Sequence, residues 1–148
     1  MPAQFEGRVT WCYDGDTIRV MGVPDGTVIR VWGIDAPERG QRGFGKSGAF
    51  LWSWIGKKVC VFEPVCRDRY GRMVAKVVLP PDIDVAQVMV REGWAWWYRR
   101  YAGQADHLRR AEMEARAERR GLWAERAGRF APWVFRYRYG KRGYPGAD

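Results

Sequence analysis

The first half of the chain carries five stretches in which apolar, β-branched or aromatic residues alternate with polar ones: "EGRVTWCY", "DTIRVMG", "GTVIRVWGI", "KKVCVFEPV" and "RMVAKVVL". A period of two with this composition predicts short strands. The turn signals "YDGDT" and "VPDGT" separate the first three, and Asp-Gly in each favours a tight hairpin or a bulged loop. The spacing changes elsewhere. In "GKSGAFLWSWIGKK", Phe50, Leu51, Trp54 and Ile55 recur at helical intervals, with Gly56 as a stop. "DVAQVMVREG" predicts a second helix that starts at Asp82 or Asp84, ends at Gly93 and carries Val85, Val88 and Met89 on one face. "ADHLRRAEMEARAERRG" predicts a third, with Asp106 as N-cap, Leu108, Ala111 and Ala115 along one stripe, a Glu112/Arg116 pair and Gly121 as C-cap.

Five short strands with few helices to cover their edges suit a small closed barrel of the oligonucleotide-binding (OB) type better than a flat sheet. The expected fold is therefore α+β: a five-stranded OB barrel with three α-helices over residues 1–125, followed by a basic aromatic tail over 126–148. In the tail, "RAGRFAPWVFRYRYGKRGYPGAD" interleaves arginines with aromatics and shows no clear period. It suits either a stacking surface for single strands or a segment folded back on the barrel.

Composition narrows the partners. The chain has 148 residues, enough for one domain, and 47% of them are hydrophobic, which places it among folding sequences. Lys and Arg number 26 against 17 Asp and Glu, a formal charge of +9 that favours partners carrying phosphate or anionic lipid. No apolar run approaches the roughly 18 residues that span a bilayer, so no membrane partner is expected. "MPAQFEGRV" lacks the apolar centre of a signal peptide, so export is expected only if the chain is a trimmed mature fragment. Cys12, Cys60 and Cys66 form no CxxC pair, which disfavours zinc, and they read as buried free thiols. His107, the single histidine, starts a helix and reads as structural.

Three strand ends hold charges that strands seldom carry: "DGDT" at 14–17, "RVWGIDAPE" at 30–38 and "DRYGR" at 68–72. If the second and third strands pair, Asp16 and Asp35 become neighbours. Two carboxylates about 4 Å apart repel by about 4 kcal/mol at an effective dielectric of about 20, so the pair requires a proton, an arginine or a cation. Oxygen ligands select a hard cation: Ca²⁺ is expected, with Mg²⁺ or Mn²⁺ open. Pro37 biases Ala36 toward an extended conformation that aims its carbonyl at the same ion. Glu38, just outside, is placed to take a proton from a polarised water, while Arg30 and Arg72 clamp phosphate oxygens. Arg30 and Asp35 are five residues apart and would face opposite sides of a regular strand, so a bend or bulge is required between Val31 and Ile34, with Gly33 the natural place for it.

The ordered set "DGDT", "RVWGIDAPE" and "DRYGR", followed by "HLRRAEMEARAERRGLW", resembles the staphylococcal nuclease (thermonuclease) family over about residues 6–125. The resemblance implies Ca²⁺-dependent hydrolysis of DNA and RNA, acting as a monomer on single-stranded or accessible duplex nucleic acid. It implies Asp16, Asp35 and the Ala36 carbonyl as metal ligands, Glu38 as general base, and Arg30 and Arg72 as phosphate-binding catalytic residues. Tyr70 and Tyr101 would lie against the nucleotide, and a further tyrosine position aligns with either Tyr98 or Arg99. The loop "RGQRGFGKSG" after Glu38 is shorter than in the best-known member, with Arg39, Arg42 and Lys46 available for substrate. Two other readings remain: a nuclease-like binding module without turnover, and a basic protein that binds acidic polymers in a salt-sensitive, metal-independent way.

Overall fold

In β6 (Met73–Leu79) the alternation is complete: Met73, Ala75, Val77 and Leu79 point inward, while Val74, Lys76 and Val78 do not. The same rule buries Val9 of β1 (Phe5–Cys12), Ile18 and Val20 of β2 (Thr17–Met21), Ile29 and Val31 of β3 (Val28–Val31), and Cys60 and Phe62 of β5 (Val59–Arg67). The computed structural model describes residues 3–22, 28–125 and 130–140. The "VPDGT" turn and parts of the tail lie outside the described residues.

The strands run in the order β3-β2-β1-β5-β6, and β3 then pairs in parallel with β6 through Ile29–Met73, Arg30–Val74 and Val31–Ala75. That last pairing closes the five-stranded barrel and removes its open edges. The register shifts between Val9 and Trp11 and between Pro64 and Cys66, where bulges bend the strands as closure requires. A two-stranded ribbon of β4 (Ile34–Asp35) and β8 (Trp96–Trp97) is added, and β7 (Ile83–Asp84) extends β6.

The three expected helices are α1 (Phe44–Ile55), α2 (Val85–Arg91) and α4 (Asp106–Ala117). Asp84 caps α2 by accepting the Gln87 N–H at 3.2 Å, and its other oxygen lies 3.1 Å from His107 Nε2 at the start of α4. Two boundaries differ from expectation. Ala105, not Asp106, is the N-cap of α4, because the Asp106 carboxylate is drawn to Arg109 (2.7 Å) and Arg110 (2.8 Å) and contributes as a first-turn negative charge. The helix ends at Ala117, and Gly121, with φ +54°, instead opens a 3₁₀ turn over Gly121–Ala124. Cys66 is exposed, whereas a buried thiol was expected; all three cysteines are free.

Two further helices were not anticipated. α3 (Arg99–Ala102) is a single turn. α5 (Pro132–Tyr139) lies in the tail, begins with proline at its first position and stops at Gly140. It folds back on the domain: Trp133 meets Trp96 edge-on at 6.4 Å and stacks on Tyr98 at 5.6 Å, joining a small second core of Trp96, Leu122 and Ala131. Among the described residues no helix is long and apolar enough to cross a membrane.

Candidate active site

Barrel closure lines up three sequence motifs. Thr17 pairs with Arg30 across β2 and β3, and Arg30 pairs with Val74 across β3 and β6, so one row of the barrel wall joins "DGDT" and "RVWGID" and ends two residues past "DRYGR". The Val31 N–H donates to the Asp16 carbonyl at 2.8 Å and extends that row. β3 then ends in a turn at Trp32–Gly33, and the chain re-enters as β4. Gly33 has φ +90°, which favours glycine, and a Cβ there would sit 2.7 Å from Leu108 Cδ1, so the leucine side chain would have to shift.

This turn supplies the bend that the odd spacing of Arg30 and Asp35 demands. The Arg30 guanidinium donates to the Val31 and Ile34 carbonyls at 3.0 and 2.8 Å and lies 3.5 Å from Asp16 Oδ2 and 3.4 Å from Asp35 Oδ1. The two acids are nearly withdrawn from water, Asp16 being 5% and Asp35 1% exposed. Asp16 Oδ1 accepts the Thr17 hydroxyl at 2.8 Å and Oδ2 accepts the Ala36 N–H at 2.7 Å.

The charge balance at this point is tight. Although burial opposes it, the Arg30 charge and the bonds from Ala36 and Thr17 hold the Asp16 carboxyl below the ordinary range. Burial, reinforced by the neighbouring Asp16, pushes Asp14 well above it. Burial likewise raises Asp35 to about 6, against the hydrogen bonds it receives from Arg136. Buried carboxylates whose pKa values are displaced by burial and by specific charge partners are candidates for a functional site.

The second cation at the acids comes from α5. Arg136 Nη2 binds Asp35 Oδ2 at 2.6 Å, while its Nη1 binds both Asp35 Oδ1 at 3.0 Å and Glu38 Oε1 at 2.7 Å. Glu38 follows Pro37 in an irregular segment, and Gln41 holds it there: the Gln41 Oε1 accepts the Glu38 N–H at 2.9 Å, and the Gln41 N–H donates to the Glu38 carbonyl at 2.8 Å. Gln41 Nε2 in turn donates to the Phe130 carbonyl at 2.8 Å. Sequence reasoning missed Arg136, Gln41 and Asp14. The "RYR" of the tail offers no mark that singles out one arginine, whereas Asp14 was visible beside Asp16.

Arg72 reaches the site from the β5–β6 turn. Asp68 accepts its backbone N–H at 3.0 Å and its Nε–H at 2.7 Å, and Nη1 lies 3.5 Å from the hydroxyl of Thr17. Tyr70, in the same turn, has Arg69 and Arg72 over its ring at 5.1 and 5.5 Å. Tyr98 and Tyr101 meet edge-on at 5.1 Å on a different element; the Tyr98 N–H is tied to the Gly33 carbonyl at 2.9 Å and its ring is stacked against Trp133. Arg42 and Lys46 line an open cleft of about 380 Å³ with Trp94, Leu122 and Glu125.

Asp16 and Asp35 offer oxygen donors of the kind a hard divalent cation takes, and both lie at Arg30, with the two Asp35 oxygens also bonded to Arg136. Among the described residues no group of three or more His, Cys, Asp and Glu side chains is arranged to hold a metal.

The closed five-stranded barrel with flanking helices is of the OB type, and it gathers buried acids and guanidinium groups at one place on its wall. The family described as staphylococcal nuclease homologue matches residues 28–125. An uncharacterized endonuclease of Escherichia coli O157:H7 is 40% identical over 136 residues, 92% of this chain and 88% of that protein. A micrococcal nuclease of Shigella flexneri is 34% identical over 143 residues, covering 90% and 82%. The chain belongs to the staphylococcal nuclease family and is by class a nuclease.

Proposed function

We propose that the protein hydrolyses phosphodiester bonds in DNA and RNA in a Ca²⁺-dependent reaction, preferring single-stranded or accessible strands. The observation that supports this reading above others is the pair Asp16 and Asp35, withdrawn from water and both within 3.5 Å of the Arg30 guanidinium.

Held by Asp16, Asp35 and the Ala36 carbonyl, Ca²⁺ would supply positive charge that polarises the attacking water and the phosphoryl oxygens. Glu38 takes the proton from that water. Arg30 and Arg72 hold the non-bridging oxygens, and their charge counts for more as the pentavalent transition state gathers negative charge than in the ground state. Tyr70, Tyr98 and Tyr101 bear on the nucleotide, where ring stacking tolerates any base.

One observation favours a second reading, a nucleic-acid-binding module without turnover: Arg136 already satisfies both Asp35 oxygens and one oxygen of Glu38. Cleavage of single-stranded and duplex DNA and of RNA, with Ca²⁺, Mg²⁺, Mn²⁺ or chelator, separates the two. Cleavage by the wild type that needs the ion and is lost in Glu38→Gln and Asp35→Asn supports the nuclease. Binding without cleavage in every ion supports the module, and undiminished cleavage by Glu38→Gln removes the proposed base.

A further inference from the structure

The family match ends at residue 125, yet the segment that carries Glu38 is fastened by residues beyond it. We propose that Arg136 is a positioning residue of the site, fixing Glu38 against Asp35, so that the active site is complete only with the C-terminal helix α5 docked. The inference rests on the nuclease reading for the role of Glu38 and on geometry for the rest.

Glu38 lies between β4 and α1 in a turn that its bonds with Gln41 close, which fixes its backbone but leaves its carboxylate to be placed by other groups. Two independent links reach this turn, both from the C-terminal segment. The Arg136 fork spans Asp35 and Glu38, and its Nη1 is shared between one oxygen of each. The planar guanidinium fixes direction as well as distance, which a single ammonium cannot do. Gln41, itself buried, carries the Phe130 carbonyl on its amide nitrogen while its amide oxygen accepts the Glu38 N–H. The stacking of Trp133 on Tyr98 and its edge contact with Trp96 hold the helix that presents Arg136. Among the described residues the Arg136 contact to Glu38 falls on one carboxylate oxygen, Oε1.

The full chain is compared with Arg136→Ala and Arg136→Lys by amide hydrogen exchange without metal and by steady-state cleavage of a single-stranded oligonucleotide at saturating Ca²⁺. In Arg136→Ala the Glu38 and Gln41 amides should exchange about ten-fold faster while the β1 and β6 amides keep their protection. Its turnover should fall by about 30-fold or more with KM changed less than about three-fold, because a displaced base costs rate and not binding. Added guanidinium ion should restore part of the turnover, and Arg136→Lys should fall between the two. Unchanged exchange at Glu38 and Gln41 overturns the proposal. So does a loss confined to KM, which makes Arg136 a substrate contact, or faster turnover with tighter Ca²⁺ binding, which makes it a competitor of the ion. If the wild type cleaves nothing in any ion, the nuclease reading fails separately, and the exchange result still decides whether Arg136 holds Glu38.

Discussion

Asp16 and Ala36, twenty residues apart, are joined by a buried hydrogen bond of 2.7 Å from the Ala36 N–H to Asp16 Oδ2. This bond holds the "DGDT" loop against the segment that carries Asp35, Pro37 and Glu38. Asp16→Ala would leave that N–H without an acceptor and remove one partner of Arg30, costing about 1–3 kcal/mol in urea unfolding. Asp16→Asn retains an acceptor oxygen and should unfold closer to wild type. If Asp16 holds Ca²⁺ as proposed, the substitution should nevertheless weaken Ca²⁺ binding, followed by calorimetry, at least about ten-fold, since a direct ligand should matter no less than the residues that brace ligands. Equal Ca²⁺ affinity in Asp16→Asn and wild type would remove Asp16 from the donor set.

Gly33 turns β3 into β4, and substitution there meets two separate obstacles: φ is +90° and Leu108 Cδ1 occupies the space of a Cβ. Gly33→Ala should cost more than about 1 kcal/mol from the backbone alone, with overpacking adding to it. Because the turn also aims Arg30 and Asp35 at each other, cleavage should decline under conditions where the variant is still folded. Wild-type stability in chemical denaturation would show that the turn can be remade without positive φ.

Asp68 anchors Arg72, and its pKa gives this contact a pH signature. Burial is the largest single influence and raises the Asp68 carboxyl, but the hydrogen bonds from the Arg72 side chain and backbone, the Arg72 charge and the Tyr70 N–H together outweigh it and lower the carboxyl below its ordinary value. A depressed folded pKa means that the unfolded chain binds the proton first. The stabilisation is therefore present above the unfolded value of about 3.9 and is lost as pH falls through the lower folded value. Asp68→Asn should be less stable than wild type at pH 7 by about 1 kcal/mol, with that difference closing as the pH drops below about 4. A difference that stays constant from neutral pH into acid would mean that Asp68 acts by shape and not by charge.

The barrel was legible because alternation is a local signal: β6 needs only its own seven residues to show which side is buried. The acids were legible because carboxylates at strand ends conflict with the surrounding pattern. Arg136 was not, since its meaning comes from a contact with residues 98 and 101 positions away. Its helix has eight residues, of which only Pro132 and Phe135 are buried, too few to set up a period. Gly33 stood between these cases. The odd separation of Arg30 and Asp35 demanded a bend there, but the Leu108 side chain that packs against it comes from α4 and leaves no trace near residue 33. The end of α4 was misplaced for a similar reason: Gly121 is a good helix stop by type, yet its positive φ serves the 3₁₀ turn that follows.

Arg30→Lys tests how much of the site depends on a guanidinium and not merely on a positive charge. Arg30 uses Nη1 for two backbone carbonyls at the β3–β4 turn and Nη2 for the two acids, so one planar group both fixes the turn and neutralises the carboxylates. A lysine ammonium is a single point on a flexible stem and cannot occupy both places. If it stays with the acids, the Val31 and Ile34 carbonyls lose their donor; if it serves the turn, the acids lose their cation. The expected outcome is a stability loss of about 1–3 kcal/mol together with a fall of at least about 100-fold in kcat/KM. If Arg30 binds phosphate as proposed, the larger share should appear in kcat, because such a contact acts most strongly where negative charge develops. A lysine variant with full turnover would show that charge alone suffices and would reduce Arg30 to a structural residue of the turn.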